Sequence, residues 1–211
     1  MTCSSSPAGS TRAPRIISGE GRYAQADFEI PGRTLPDLLA EGLDVVFVGI
    51  NPSVFSVDRG HYFARASNRF WPCLSRSVLS RGAREGLLAD ELGPEHDRLL
   101  PAYGIGFTDL VKRATPNASG LAPSELAAGV EHLLMKLERY RPRVACFHGV
   151  TGYRHVHRLL TGADTKIELG PQTVVVGVTR LYLVPNPSGA NAHFTRDEQT
   201  RWYDRLRAFI M

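Results

Sequence analysis

Cysteine is scarce in this chain, and the three that occur, Cys3, Cys73 and Cys146, lie far apart. Such spacing is neither a disulfide framework nor a zinc motif, and three thiols cannot supply the four ligands of an iron–sulfur cluster. They are expected to be buried or incidental thiols in a reducing cytosol. Long apolar runs are lacking too: none approaches the roughly 20 residues that span a bilayer, so no membrane partner is expected. The first residues, MTCSSSPAGSTRAPR, have no apolar stretch of the secretory kind. They read as a disordered basic tail over residues 1–16, or as an over-extended start site. His155 and His157 stand two apart, a poor spacing for a helical metal site, and no metal or other cofactor is expected.

What is there is ordinary in amount and informative in order. The 211 residues, 43% of them hydrophobic, suit one domain with a sizeable core, taken as residues 17–211. The formal net charge is +4 and the pI is near 9.1. That balance permits nucleic-acid binding without establishing it.

Elements alternate along the chain. LPDLLAEG reads as a short helix. DVVFVGINP is an apolar run ended by Gly and Pro, as in a strand buried on both faces of a parallel sheet. A loop rich in Gly, His and aromatics follows, then a helix from about Asn68 through WPCLSRSVLSR and a second over REGLLADELG. GIGFTDLV reads as a short strand or turn. Leu126, Val130, Leu133, Leu134 and Leu137 recur at helical spacing, with Ser124 a plausible N-cap. RVACFHG reads as a strand, VTGYRHVHRLLTG as a helix, TVVVGVTRLYLVPNPSG as two strands, and EQTRWYDRLRAFI as an amphipathic helix. The pattern implies a three-layer α/β/α sandwich with a mostly parallel sheet of about four or five strands. In such sheets ligands bind beyond the carboxyl ends of the strands.

Two of those ends carry similar peptides, GINPS (49–53) and PNPSG (185–189). Asn51 is a neutral amide whose carbonyl oxygen can hold a water, or it can simply cap a turn. Pro52 fixes that turn, and Gly49 lets backbone approach a ligand. NPSGAN offers Ser188, small residues and free amides suited to a phosphate or a groove, and equally suits a plain Pro/Gly turn. Between them lies GHYFARASNRFW.

The ordered set GINPS, GHYFARASNRFW, GIGFTDLVKR and LVPNPSGAN resembles the uracil-DNA glycosylase superfamily. Within it, the set is similar to the mismatch-specific uracil/thymine-DNA glycosylases, over most of the chain from about Val45. The resemblance implies a base-flipping enzyme that extrudes its target from the duplex, at a cost of a few kcal/mol that is least at a mismatch. It implies that Asn51 positions the attacking water and that Phe63 stacks on the flipped pyrimidine. Ile50 and Asn68 join the base pocket, Asn68 alternatively being a helix N-cap. Ser188, Gly189, Ala190 and Asn191 form the loop that enters the minor groove, with Ser188 on a phosphate. Some members carry a larger apolar residue where Ala190 stands, and Asn191 or His193 can compensate. Phe70 and Trp71 are assigned to the core.

Asp109 is the one acid inside these motifs, where relatives often carry a neutral or basic residue. A carboxylate there can activate the water, favour a positive sugar or hydrogen-bond the base. It can equally be an N-cap or a partner for Lys112 and Arg113; Asp58 is a weaker candidate. Lys112 and Arg113 are expected to meet phosphates, as are Arg59, Arg65 and Arg69, which would make binding fall with salt. His148 is expected to be a satisfied sheet-end residue. With no lysine placed to form a Schiff base, the expectation is a monofunctional, cofactor-free monomer. It acts on double-stranded DNA with U·G or related lesions, in the cytoplasm at a bacterial nucleoid or in a nucleus. Its rivals are a nucleic-acid-binding module with the same fold, and a nucleotide-binding phosphotransferase. The latter is disfavoured by the absence of a Gly-rich phosphate loop with lysine.

Overall fold

The computed structural model of the protein describes residues 15–17, 33–191 and 193–211. Most of the expected tail therefore lies outside the described residues. Its last part, with Ile17, forms the short strand β1 (Arg15–Ile17). The apolar runs become strands β2 (Val45–Gly49), β3 (Ile105–Asp109), β4 (Val144–His148), β5 (Gly170–Val176) and β6 (Thr179–Val184). They join in one sheet of order β1-β5-β6-β4-β2-β3. All neighbours are parallel except β5 and β6, which form a hairpin about Gly177. The five expected strands are present, and β1 adds a sixth at the edge.

Both faces of the central strands are covered, so the period-two alternation divides two apolar layers instead of core from solvent. Val45 and Phe47 pack on one face with Phe107, Cys146 and Tyr182. Val46 and Val48 pack on the other with Ala145, Phe147 and Leu183. The first layer is closed by helices α2 (Phe70–Arg76) and α6 (Arg196–Ile210), through Phe70, Trp71, Tyr203 and Leu206. The second is closed by α4 (Pro123–Tyr140) and α5 (Val150–Thr161), through Leu133, Leu137, Tyr153 and Val156. Cys73 and Cys146 are buried free thiols within the first layer.

Several local expectations are corrected. LPDLLAEG is not a helix: Leu38 exchanges two backbone hydrogen bonds of 2.9 Å with Phe107 and covers the open edge of β3. An exposed sheet edge is a liability, and pairing it outweighs the weak helical pattern beside Pro36. The segment after GINPS is not all loop. It contains α1 (Val54–Arg59), which starts where Ser53 Oγ accepts from the Ser56 amide at 3.1 Å and stops at Gly60, φ 75°. Beyond α2, helix α3 (Arg81–Leu87) begins earlier than expected and ends at Leu88 in the left-handed region, before 3-10 turns over Pro94–Tyr103. Helix α4 is opened by Pro123 at its first position. Glu125 reaches back to accept from the Ala122 amide at 2.8 Å, so Ser124 is not its cap.

Parallel pairing gathers the carboxyl ends of β2, β3, β4 and β6 on one side. Gly49 stands opposite Asp109, and His148 opposite Val184. The site lies in the crevice beyond them.

Candidate active site

A cleft of about 570 Å³ opens there, lined by Ile50, Asn51, Phe63, Asn68, Asp109, His148 and Ser188 among others. Residues from all four motifs thus meet, although up to 140 positions of chain separate them, from Gly49 to Gly189. That volume lies in the range of small-molecule pockets, about 300–1,000 Å³.

Asn51 is held by its amide nitrogen. Nδ2 donates to Arg113 O at 3.0 Å, Thr115 Oγ1 at 2.6 Å and Pro52 O at 3.3 Å. Two of those partners are carbonyls, which only an NH₂ group can face, so the partners fix the orientation of the amide. Thr115 in turn donates to Asn117 O at 2.7 Å, leaving its lone pairs for Asn51. Oδ1 of Asn51 makes no hydrogen bond to a described residue and is free to hold a water. Thr115 is a support that the motifs did not reveal, because 64 positions separate it from Asn51.

Asp109, at the end of β3, is 3% exposed. Its Oδ2 has no hydrogen-bond partner among the described residues, and the Lys112 ammonium stands 3.9 Å from it. Burial pushes the carboxyl up; Lys112 pulls it back, Asp37 pushes it up, and the balance falls at about 6. At neutral pH it is mostly an anion with a basicity well above that of an ordinary aspartate. A buried carboxylate lacking full satisfaction is unusual in a purely structural role. The expected contact with Lys112 exists, and it coexists with a place in the cleft.

Gly49 serves a nearer purpose than ligand approach. A β-carbon at this position would sit 2.2 Å from Asp109 Oδ1. Gly49→Ala is therefore expected to push the carboxylate aside and lower single-turnover turnover of substrate by about 10²-fold, as a displacement of 1 Å can. Thermal melting beside the rate measurement separates displacement from unfolding.

Phe63 adopts φ 54°, a left-handed conformation rare for an aromatic residue and of the kind that collects at functional sites. One face of its ring stacks on Phe70, centroids 4.2 Å apart and 22° between planes. Phe70 and Trp71 are buried in the core as expected. The N-cap of α2 is Arg69, without a side-chain cap bond, so Asn68 is not the cap; one residue earlier, its Oδ1 accepts from the Phe70 amide at 2.9 Å in a local turn. That bond occupies the oxygen only, so Nδ2 is left to donate into the cleft. Ile50 lines the cleft against Gly152. His148 is buried, with Nε2 3.1 Å from Tyr203 Oη and Nδ1 without a partner among the described residues. Burial holds its imidazole down at about 3, so it is neutral and no acid–base catalyst near pH 7.

The basic residues divide. Lys112 turns inward: its side chain is 8% exposed and its ammonium lies 2.8 Å from Asp37, so it does not stand where a phosphate could reach it. Arg113 is exposed but forked onto both oxygens of Glu125, at 2.7 and 2.8 Å. Asp58 sits on the exposed side of α1, paired with Arg33 at 3.2 Å, and does not line the cleft. Arg59 and Arg65 are exposed and flank the Phe55 ring at 5.2 and 5.1 Å.

Arg69 clamps the NPSGAN loop. Its guanidinium donates to the carbonyls of Ser188 (3.2 Å), Asn191 and Phe194, and its amide to Pro187 O at 2.9 Å. Asn186 Oδ1 accepts from the Ser188 amide, and Asn191 Nδ2 donates to Asn186 O, each at 2.9 Å. Gly189 and Ala190 are left exposed at the tip. A β-carbon at Gly189 would lie 2.6 Å from Ser67 O, so the loop runs tight against GHYFARASNRFW. Arg69→Met is expected to lower stability by about 1.5–3 kcal/mol, as loss of hydrogen bonds from a charged donor does. Melting temperature and duplex affinity, measured together, should both fall.

An α/β/α sandwich that gathers a carboxylate, a tethered amide and an aromatic ring in the crevice beyond its strand ends has its ligand-sized cleft where open α/β sheets place one. The chain belongs to the uracil DNA glycosylase superfamily, whose family model matches residues 36–207. Among solved structures, it is similar to a protein of Methanosarcina acetivorans described as a candidate uracil DNA glycosylase. The two share 22% identity over 83% of this chain and 98% of that one, with a TM-score of 0.47.

Proposed function

We propose that the protein hydrolyses the N-glycosidic bond of uracil in DNA, with preference for G mismatches, leaving an abasic site. The observation that carries this reading is the joint presence, in one cleft, of the tethered Asn51 amide and the incompletely satisfied Asp109 carboxylate beside Phe63. A pyrimidine flipped onto the open face of Phe63 meets the Asn68 amide at its edge. Asn51 Oδ1 accepts a hydrogen bond from a water at the sugar. Asp109 takes that water's proton as the bond forms to C1′, and its charge favours the oxocarbenium-like sugar. The electrons of the breaking bond leave with uracil, whose anion is stable enough to need no prior protonation.

Phosphates on either side of the flipped nucleotide would meet Ser188 and exposed Arg59 and Arg65. The tip at Gly189 and Ala190 would enter the minor groove, with Asn191 behind it. The Lys112 ammonium is held by Asp37, and this favours a monofunctional reaction over one passing through a Schiff base. Single-turnover excision from U·G, U·A, T·G and single-stranded U oligonucleotides tests the reading. The expected order has U·G first. Equal rates on U·G and U·A would remove the mismatch preference and leave a general uracil glycosylase.

A further inference from the structure

Behind Asp109 lies a charged cluster that the reaction above does not use. Asp37, from the segment before β2, accepts from Lys112 Nζ and from Thr108 Oγ1 on one oxygen, each at 2.8 Å. Lys136 of α4 stands 2.6 Å from its other oxygen and 3.3 Å from Thr108 Oγ1. Lys112 also reaches Tyr62 Oη at 3.3 Å, and its backbone carbonyl accepts from Thr34 Oγ1 at 2.5 Å. One lysine is thus locked between a partner carboxylate and Asp109, at 2.8 and 3.9 Å. Tyr62 Oη is committed to Pro36 O at 3.0 Å. Burial first, then the charges of Asp109 and Asp37, hold that phenol well above its usual range, so Tyr62 stays neutral.

We propose that Lys112, anchored by Asp37, is a positioning residue that holds Asp109 as a carboxylate aimed into the cleft. The inference rests on the glycosylase reading for its consequence in rate, and on the geometry alone for its effect on Asp109. The charged or titratable groups facing Asp109 are Lys112 from its own strand's end, Asp37 from the segment before β2, Lys136 from α4 and Tyr62 from the loop after α1. Neutral His148 also lines the cleft, from β4. The two lysines favour the anion and Asp37 opposes it. Asp37 is itself below its ordinary range although burial raises it, because Lys112 and Lys136 stabilise its charge. A salt bridge this buried is more consistent with holding a functional group than with adding stability, since desolvation offsets most of the attraction.

The proposal makes two variants move in opposite directions. In Lys112→Met the Asp109 carboxyl should keep its proton to higher pH, by about one unit or more. In Asp37→Asn it should lose the proton at lower pH than in wild type. Carboxyl carbon NMR titration of the DNA-free protein reads this directly, and the acid limb of single-turnover excision should follow it. Lys112→Met should also leave the salt dependence of duplex binding unchanged, whereas a lost phosphate contact would reduce the slope by about one. An Asp109 titration unmoved in both variants would overturn the proposal. So would a shift to higher pH in Asp37→Asn, which decides the matter alone if Lys112→Met does not fold. A protein that shows the expected NMR shifts but excises no uracil would instead fail the glycosylase reading and leave the positioning role standing.

Discussion

Asp109→Asn is expected to lose about 10²–10⁴-fold in single-turnover excision at pH 8, the range of a positioned general base, and yet to be more stable than wild type. The amide keeps the shape of the carboxyl under Gly49 but cannot take a proton from water or oppose a positive sugar. Wild-type rate should follow the same group. It should be level above pH 7 and fall about tenfold per unit below the titration of Asp109 at about 6. The variant's residual rate should lack that limb. Stability has the opposite sign. The folded state binds the Asp109 proton more tightly than the unfolded chain does, with about 6 against 3.8. Wild type therefore loses stability as pH rises through that window and does not regain it above. The variant escapes this loss of about 3 kcal/mol, less the cost of an amide donor without an acceptor, for a net gain of up to about 2 kcal/mol at pH 8. Thermal melting at pH 8 and pH 4 should show a gap that closes in acid. A variant destabilised at both pH values would mean that the carboxylate is a structural partner of Lys112 and no more.

Asn51→Ala is expected to lower excision by about 10²–10³-fold, the scale for removing one preorganised polar group from a reacting centre. Two effects combine. The water loses the acceptor at Oδ1, and the turn around Arg113 and Thr115 loses the Nδ2 bonds that hold it to β2. If Asn51 and Asp109 act on one water, their losses should not add. The double variant should be hardly slower than the slower single one, as for residues that work as a unit. Fully multiplicative losses would place the two on different steps.

Much of the architecture was readable from the sequence because the central strands are buried on both faces. VVFVG, VACFH and TRLYLV are nearly continuous apolar runs, and such runs bounded by Gly and Pro have few alternatives. The helices with sustained spacing, α4 to α6, were equally plain. What failed was local pattern without tertiary context. LPDLLAEG has helical spacing but pairs with β3 instead, and Ser124 looks like a cap until Pro123 takes the first helical position. At the site, the residues within motifs reached the cleft together, including Asn51, Phe63, Asn68 and Ser188. Their supports did not declare themselves. Thr115 holds Asn51 across 64 positions, and Asp37 meets Lys112 across 75. Lys112 looked like a phosphate contact because a lysine beside an arginine usually faces solvent, yet the fold turns it inward. Arg69 looked the same and instead clamps a loop more than a hundred residues on. In both cases the sequence shows the charge and conceals its partner.

The most direct measurement is product analysis after mixing excess protein with a labelled U·G duplex at pH 8. Free uracil and a strand that breaks only on alkaline treatment, with no borohydride-trapped covalent complex, is the outcome expected of Asn51 and Asp109 acting through water. An intact strand and no released base would contradict a glycosylase and leave a nucleic-acid-binding module with this fold.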